Sequence, residues 1–208
     1  MSILYVKANP KRDEDSFSAQ LANHFIDSYL KNNPNDTVEK LDLYNEDIPF
    51  LDVDIFSAWG KFADHKELNP TELEKAQKMD ELTNQFLNAD KVIIAAPFWN
   101  LSFPPMLKAY IDTICIKGKT FHYTEEGRPE GLVPDKPCLL IETRGGIYSE
   151  GPAAELEFSQ RYLKTILNFI GVQNFTAVTA EGLDIDEETR KRSLQEAKAK
   201  LTDLSQTF

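Results

Sequence analysis

The chain has 208 residues, 41% of them hydrophobic and 27% charged, which is the make-up of one ordinary globular domain, 1–208, and argues against disordered and collagen-like classes. Its formal charge of -11, from 34 Asp and Glu against 23 Lys and Arg, repels a phosphate backbone, so no nucleic acid partner is expected. No apolar run nears the roughly 18 residues of a membrane span, and the N-terminus opens on a strand pattern instead of a signal peptide; no membrane partner is expected and the expected location is cytoplasmic.

Residues 3–8 read as a short apolar strand, after which Leu21, Ala22, Phe25, Ile26 and Tyr29 recur at helical spacing. The stretch 37–44 is more polar, with Leu41 and Leu43 flanking Asp42, as suits an edge strand closing a βαβ unit. Asn69 as a cap, Pro70 in the first turn and Glu72 at the third position start a second helix, continued by Leu73, Ala76, Leu82 and Phe86. Residues 92–96 are continuously apolar, the pattern of a central strand buried on both faces. Pro104 or Pro105 opens a helix with the stripe Leu107, Tyr110, Ile111 and Ile114, and 138–143 is another buried strand. A long helix follows with Leu156, Leu163, Ile166, Leu167 and Ile170 on its stripe and Gly171 as its stop. A strand near 175–180 and a helix bearing Leu194, Ala197, Leu201 and Leu204 close the chain. Two stretches stand outside this pattern: 45–68, with Phe50, Phe56, Trp59 and Phe62, reads as a long loop, and 117–135 is rich in turn residues. Such insertions pack locally, or build a pocket or a subunit contact.

Strands alternating with helices predict a three-layer α/β fold whose five-stranded parallel sheet has the order 2-1-3-4-5. In such sheets ligands bind beyond the carboxyl ends of the strands where the winding reverses. That rule selects the loops 9–18, 97–102 and 144–151, after the first, third and fourth strands, and brings them to one crevice.

The first loop ends in Ser16-Phe17-Ser18 at a helix start, where free N–H groups and the helix dipole attract an anion, although a capping serine explains the pattern equally well. No GxGxxG follows the first strand, so a mononucleotide with a terminal phosphate fits better than a dinucleotide held in the Rossmann manner. Gly118-Lys119-Thr120 imitates the end of a P-loop, but Thr113 stands where its first glycine belongs, which excludes an NTPase. In the second loop, Pro97-Phe98-Trp99-Asn100-Leu101-Ser102 combines apolar planes with an amide. That serves a flat heteroaromatic ring such as a flavin, or local packing. In the third, Thr143-Arg144-Gly145-Gly146 allows close backbone approach to a ring, or makes a tight turn. Cys115 and Cys138 sit in apolar stretches and read as packing residues; His24, His65 and His122 have no metal-like spacing, so no metal is expected. No catalytic triad or nucleophile elbow is present, which a flavoenzyme does not need, because the cofactor carries the chemistry.

Taken in order, Ser16-Phe17-Ser18, Ala96-Pro97-Phe98-Trp99-Asn100-Leu101 and Thr143-Arg144-Gly145-Gly146-Ile147 resemble the bacterial FMN-dependent NADH-azoreductase family. The likeness extends to Phe121-His122-Tyr123-Thr124, Pro129-Glu130-Gly131-Leu132 and Ala180-Glu181-Gly182. The resemblance implies a flavodoxin-like fold related to mammalian two-electron quinone reductases, a homodimer, bound FMN and NADH as a transient donor. It implies phosphate contacts from Ser16, the Phe17 backbone and Ser18, and ring contacts from Pro97 and Phe98 to Leu101. Further flavin contacts would come from Thr143, Arg144, Gly145 and Gly146. Asn9 departs from the serine common in the family and is kept as a site residue on position alone. The implied reaction is ping-pong electron transfer from the nicotinamide donor to a small aromatic acceptor, a quinone or an azo compound. The rival readings are an FMN electron carrier serving only protein partners and a redox-sensing protein without turnover.

Overall fold

Strands without a polar face can be stable only if something apolar covers both sides, and that requirement organises the whole chain. The structure, a computed structural model, describes residues 1–208. In chain order it contains β1 (Ser2–Lys7), α1 (Phe17–Asn32), β2 (Thr37–Asp42), α2 (Val53–Ala63), α3 (Pro70–Asn88), β3 (Lys91–Pro97) and α4 (Pro105–Ile114). There follow β4 (Phe121–Tyr123), β5 (Pro129–Gly131), β6 (Cys138–Thr143), α5 (Ser159–Ile170), β7 (Phe175–Ala180) and α6 (Glu187–Leu204). Short 3-10 turns occupy Asp13–Asp15 and Pro152–Leu156. Five strands pair in parallel in the order β2-β1-β3-β6-β7. This is the predicted 2-1-3-4-5 winding, the two strands β4 and β5 forming a separate antiparallel hairpin.

Alternation along the central strands assigns each side chain to a layer. Ile3, Tyr5, Ile93, Ala95, Leu139 and Ile141 face one core with residues of α1 and α6, among them Leu21, Phe25, Tyr29, Ala197 and Leu201. Leu4, Val6, Val92, Ile94, Ala96 and Leu140 face the other with Leu82 and Phe86 of α3, Leu107, Tyr110, Ile111 and Ile114 of α4, and Leu163, Leu167 and Ile170 of α5. Each fully buried Leu or Phe in these layers contributes roughly 1.5–3 kcal/mol relative to exposure. Cys138 is buried and Cys115 half-buried, and burial pushes both thiols up to about 12, so packing is their role.

Three expectations need correction. Residues 45–68 are not one long loop, because α2 fills their middle, with the Asp52 side chain capping the Asp54 and Ile55 N–H groups. Its apolar residues cover a broad arc opposite Asp54, Ser57 and Lys61: Ile55 and Ala58 are buried while Val53, Phe56 and Phe62 are exposed, so the arc is wider than the core it meets. Leu73 belongs to α3 but stands exposed on the side of Trp59 and Phe62, outside the core. Leu156 lies before α5, exposed in the 3-10 turn. The helix begins only at Ser159, whose N–H and that of Gln160 are taken by the Glu157 carboxylate. The stop at Gly171 is as expected: it has φ 114, and a Cβ there would strike the Val133 carbonyl. The stretch 117–135 packs locally, with Phe121 against Phe169 at 4.6 Å. No helix is long and apolar enough to cross a membrane.

The start of α3 supplies a pH test. Asn69 and Glu72 form a reciprocal capping box, and the buried Glu72 carboxylate also accepts from Ser57 Oγ and Lys61 Nζ, each at 2.7 Å. Lys61 first, then Ser57 and the Asn69 N–H, hold the carboxyl far below its ordinary 4.5, at about 2. A carboxyl depressed by folding stabilises the fold above the unfolded-state value, and that contribution is lost as pH falls through the folded one. Wild type should therefore exceed Glu72→Gln in urea midpoint at pH 7, and the gap should shrink as pH is lowered from about 4.5 toward about 2. A gap that stays constant over that range would contradict this role.

Candidate cofactor site

Because β1, β3 and β6 are neighbours and all run parallel, the three loops leaving them meet at one sheet edge. The helix after β1 packs on one face and α4, after β3, on the other, leaving the chain-reversal gap between them. Two adjoining cavities occupy this gap, of about 200 Å³ and 500 Å³. Asn9, Ser16, Phe17, Pro97, Trp99, Thr143 and Arg144 line the smaller. Asn100, Leu101, Gly146 and Tyr148 line the larger, while Phe98, Gly145 and Asp184 line both. Ser18 is the one expected residue outside them, its buried hydroxyl lying 3.2 Å from Ser16 Oγ.

The first loop is held by its own polar groups. Ser16 caps α1, its Oγ accepting from the Ala19 N–H, while Asn9 Nδ2 donates to the same oxygen at 2.8 Å. Asn9 Oδ1 accepts from the Lys11 N–H, so its amide is committed at both ends and acts as a brace for Ser16. Asp13 ties the loop to the sheet through Lys7 at 3.3 Å and Lys40 at 2.7 Å. Burial would raise its carboxyl, but hydrogen bonds from Lys40, Asn23 and Lys7 hold it below the ordinary range. The cap at Ser16 satisfies Ala19, and the remaining first-turn N–H groups, those of Phe17 and Ser18, have no partner within the helix. They and the dipole of a sixteen-residue helix suit an anion. Capping and anion attraction are thus both served, by different atoms.

In the second loop, Trp99 and Ser102 exchange two backbone hydrogen bonds around Asn100 and Leu101. These two central residues have φ 48 and φ 69, the left-handed region that a two-residue hairpin turn requires. Asn tolerates it; a leucine there costs of order 1–3 kcal/mol. The turn presents the half-exposed Phe98 and exposed Trp99 planes and the Asn100 amide to the cavities. Phe98 N–H donates to the Thr143 carbonyl at 2.8 Å, locking this loop to the third.

The third loop packs against a fourth. Leu183, Asp184 and Gly182 donate their N–H groups to the carbonyls of Arg144, Gly145 and Gly146 respectively. A Cβ on Gly145 would strike the Asp184 carboxylate, and one on Gly146 would lie 3.1 Å from the Tyr148 ring. The glycine pair thus permits close approach, and a flat ligand edge can reach the backbone there. Arg144 does not offer its side chain. The guanidinium is buried among Glu142, Glu157 and Glu181. Burial pushes the Glu142 carboxyl up against the pull of that arginine.

Tyr148, Asp184 and Ile185 escaped the sequence reading. Leu183 to Ile185 follow β7, two strands away from the gap, and reach it only through backbone hydrogen bonds that leave no compositional mark. No group of three or more His, Cys, Asp or Glu side chains is arranged to hold a metal ion.

Comparison with known proteins agrees with this geometry. Residues 1–204 match the family model described as a flavodoxin-like fold. Among curated proteins, the chain is 46% identical to an FMN-dependent NADH:quinone oxidoreductase of Staphylococcus haemolyticus, over 99% of both chains. It is 42% identical to FMN-dependent NADH:quinone oxidoreductase 2 of Bacillus subtilis, again over 99% of each. Among solved structures, an azoreductase from Bacillus anthracis str. Sterne superposes with TM-score 0.93 at 38% identity, covering 100% of this chain and 99% of that one. An FMN-dependent NADH-azoreductase from Bacillus anthracis str. Ames Ancestor, in complex with FMN, gives TM-score 0.90 at 33% identity, covering 98% and 99%. The chain therefore belongs to the flavodoxin-like family that contains the FMN-dependent NADH:quinone oxidoreductases and azoreductases.

Proposed function

We propose that the crevice binds one FMN per chain and that the protein is an oxidoreductase moving electrons from NADH to quinones and cleaving aromatic azo compounds to amines. The observation that carries this reading is the convergence of a helix N-terminus, an aromatic turn and a glycine pair on one pair of joined cavities. The residues fit the group. The Phe17 N–H at the smaller cavity and the Ser18 N–H next to it in the first turn suit its terminal phosphate, Phe98 and Trp99 offer planes for its ring, and Gly145 and Gly146 admit the ring edge to the backbone. The functional names of the relatives, at 41% identity or more, support the same assignment.

When bound, FMN supplies two-electron transfer from the nicotinamide donor to the acceptor, once for a quinone and twice for an azo bond, which takes four electrons. The chain's own part is position and polarity. A backbone N–H at Gly146 would favour negative charge on a ring edge bound beside it, as fixed donors do wherever charge develops. The open mouth beside Asn100, Leu101, Tyr148 and Ile185 would leave one face for donor and acceptor in turn, and this supports a ping-pong order. Phe50, Val53, Phe56 and Phe62 project apolar surface from the α2 segment, beside an apolar groove of about 880 Å³ lined by Trp59, Leu73 and Phe121. Patches of this kind mark contact surfaces, and the proposed partner is a second copy of the chain. We place the enzyme in the cytoplasm, where a nicotinamide donor is regenerated.

The purified protein should release about one FMN per chain on denaturation, and initial rates with NADH and a quinone should give parallel double-reciprocal lines. FAD as the native cofactor would contradict the mononucleotide site; intersecting lines with a trapped ternary complex would contradict the shared face.

Gly146→Val adds a branched side chain against Tyr148 without backbone strain, because Gly146 has no positive φ. FMN affinity should fall at least tenfold, about 1.4 kcal/mol, while Tm moves by only a few degrees. Unchanged affinity in an FMN titration of the folded variant would make Gly146 a turn residue only.

A further inference from the structure

The buried arginine behind the crevice links several of the segments that build it. Arg144 Nε donates to Glu142 Oε2 at 2.6 Å and Arg144 NH1 to Glu181 Oε1 at 2.7 Å. NH2 pairs ionically with Glu142 at 2.5 Å and Glu157 at 3.2 Å, outside hydrogen-bonding alignment. Each carboxylate has a second attachment. Glu142 accepts from Ser159 Oγ, Glu157 takes the first N–H groups of α5, and Glu181 Oε1 accepts the Tyr148 N–H at 3.1 Å. The guanidinium carbon lies 5.1 Å from the Phe98 ring centroid, and Phe98 packs on Tyr148 with centroids 4.6 Å apart. One cation thus joins the loops after β3, β6 and β7 to the start of α5.

We infer that Glu181 is a positioning residue for the crevice: by holding Arg144 and the Tyr148 N–H with one oxygen, it fixes the aromatic walls Phe98 and Tyr148 in their places. Glu181 itself lines neither cavity and acts through its neighbours. The arrangement is well suited to this task because a planar fork bonded on two sides has little freedom, and both its stacking on Phe98 and its bond to Glu181 depend on that orientation. Burial alone would raise the Glu181 carboxyl, yet hydrogen bonds from Ser149, the Tyr148 N–H and Arg144 hold it below its ordinary range, so it is a charged acceptor in neutral solution. A purely structural salt bridge would affect melting and leave the flavin environment alone. The inference rests on the reading that FMN occupies the crevice, and it adds a claim that reading does not contain.

Glu181→Ala and Glu181→Gln separate the two roles. In Glu181→Ala, the Tyr148 amide should exchange faster with solvent in the apo-protein, FMN affinity should fall at least tenfold, and the visible circular dichroism of bound FMN should change. Glu181→Gln keeps an acceptor oxygen for both donors and should restore affinity to within about threefold of wild type. Wild-type affinity and wild-type flavin dichroism in Glu181→Ala would overturn the inference, whatever its melting temperature. Should Glu181→Ala fail to fold, Arg144→Gln combined with Glu142→Gln removes the buried charges as a pair. It should show the same change in flavin dichroism, and an unchanged spectrum would overturn the inference equally. A wild-type protein that takes up no FMN would defeat the cofactor reading, while unaltered Tyr148 exchange in Glu181→Ala would by itself defeat the tether.

Discussion

A parallel sheet buried on both faces must send its crossover helices to both sides, and the chain does so by reversing direction between β1 and β3. Everything about the candidate site depends on that reversal. At the reversal, the helices following the two adjacent strands diverge to opposite faces, and no side chain of the sheet fills the gap they leave. The right-handed twist and handed crossovers make this gap a property of the topology before any residue in it is chosen.

What the residues add is rigidity in segments that have no regular structure. The first loop is braced by Asn9 on Ser16 and by Asp13 on Lys7 and Lys40. The second is a closed turn with Asn100 and Leu101 in left-handed conformations. The third is pinned by three backbone hydrogen bonds to Gly182, Leu183 and Asp184 and by the buried cluster around Arg144. A site that holds a cofactor in one orientation needs such bracing, because a displacement of about 1 Å at the reacting atoms can cost on the order of a hundredfold in rate. The strain at Leu101 is consistent with that demand: an unfavourable backbone is retained where the turn must present Phe98 and Trp99 together.

The sheet order was legible because residues 92–96 and 138–141 are continuously apolar while 37–44 is not, which separates central from edge strands. The start of α3 was legible from three residues, Asn69, Pro70 and Glu72, since the capping box is a local interaction. The helix α2 was hidden because its apolar residues span a broad arc, with only Asp54, Ser57 and Lys61 opposite, so no narrow core stripe stands out. Leu156 continued the stripe of α5 in register, but Pro152 and the Glu157 cap set the true boundary. At the site, all three loops followed from topology and composition. The committed side chains of Asn9 and Arg144, and the return of Leu183 to Ile185 to the crevice, depend on contacts between segments far apart in sequence. The burial of the Arg144 guanidinium has the same origin. Nothing beside the two glycines announces that Glu157 and Glu181 are brought to its guanidinium.

The central claim, one crevice formed by three loops with the phosphate at the helix N-terminus and the ring on the aromatic turn, is tested most directly by a crystal structure of the protein with FMN. The phosphate should accept hydrogen bonds from the Phe17 and Ser18 N–H groups, and the ring should lie along residues 98–101 with one edge at Gly145 and Gly146. An FMN bound outside these loops, or bound with its phosphate directed away from α1, would contradict the account.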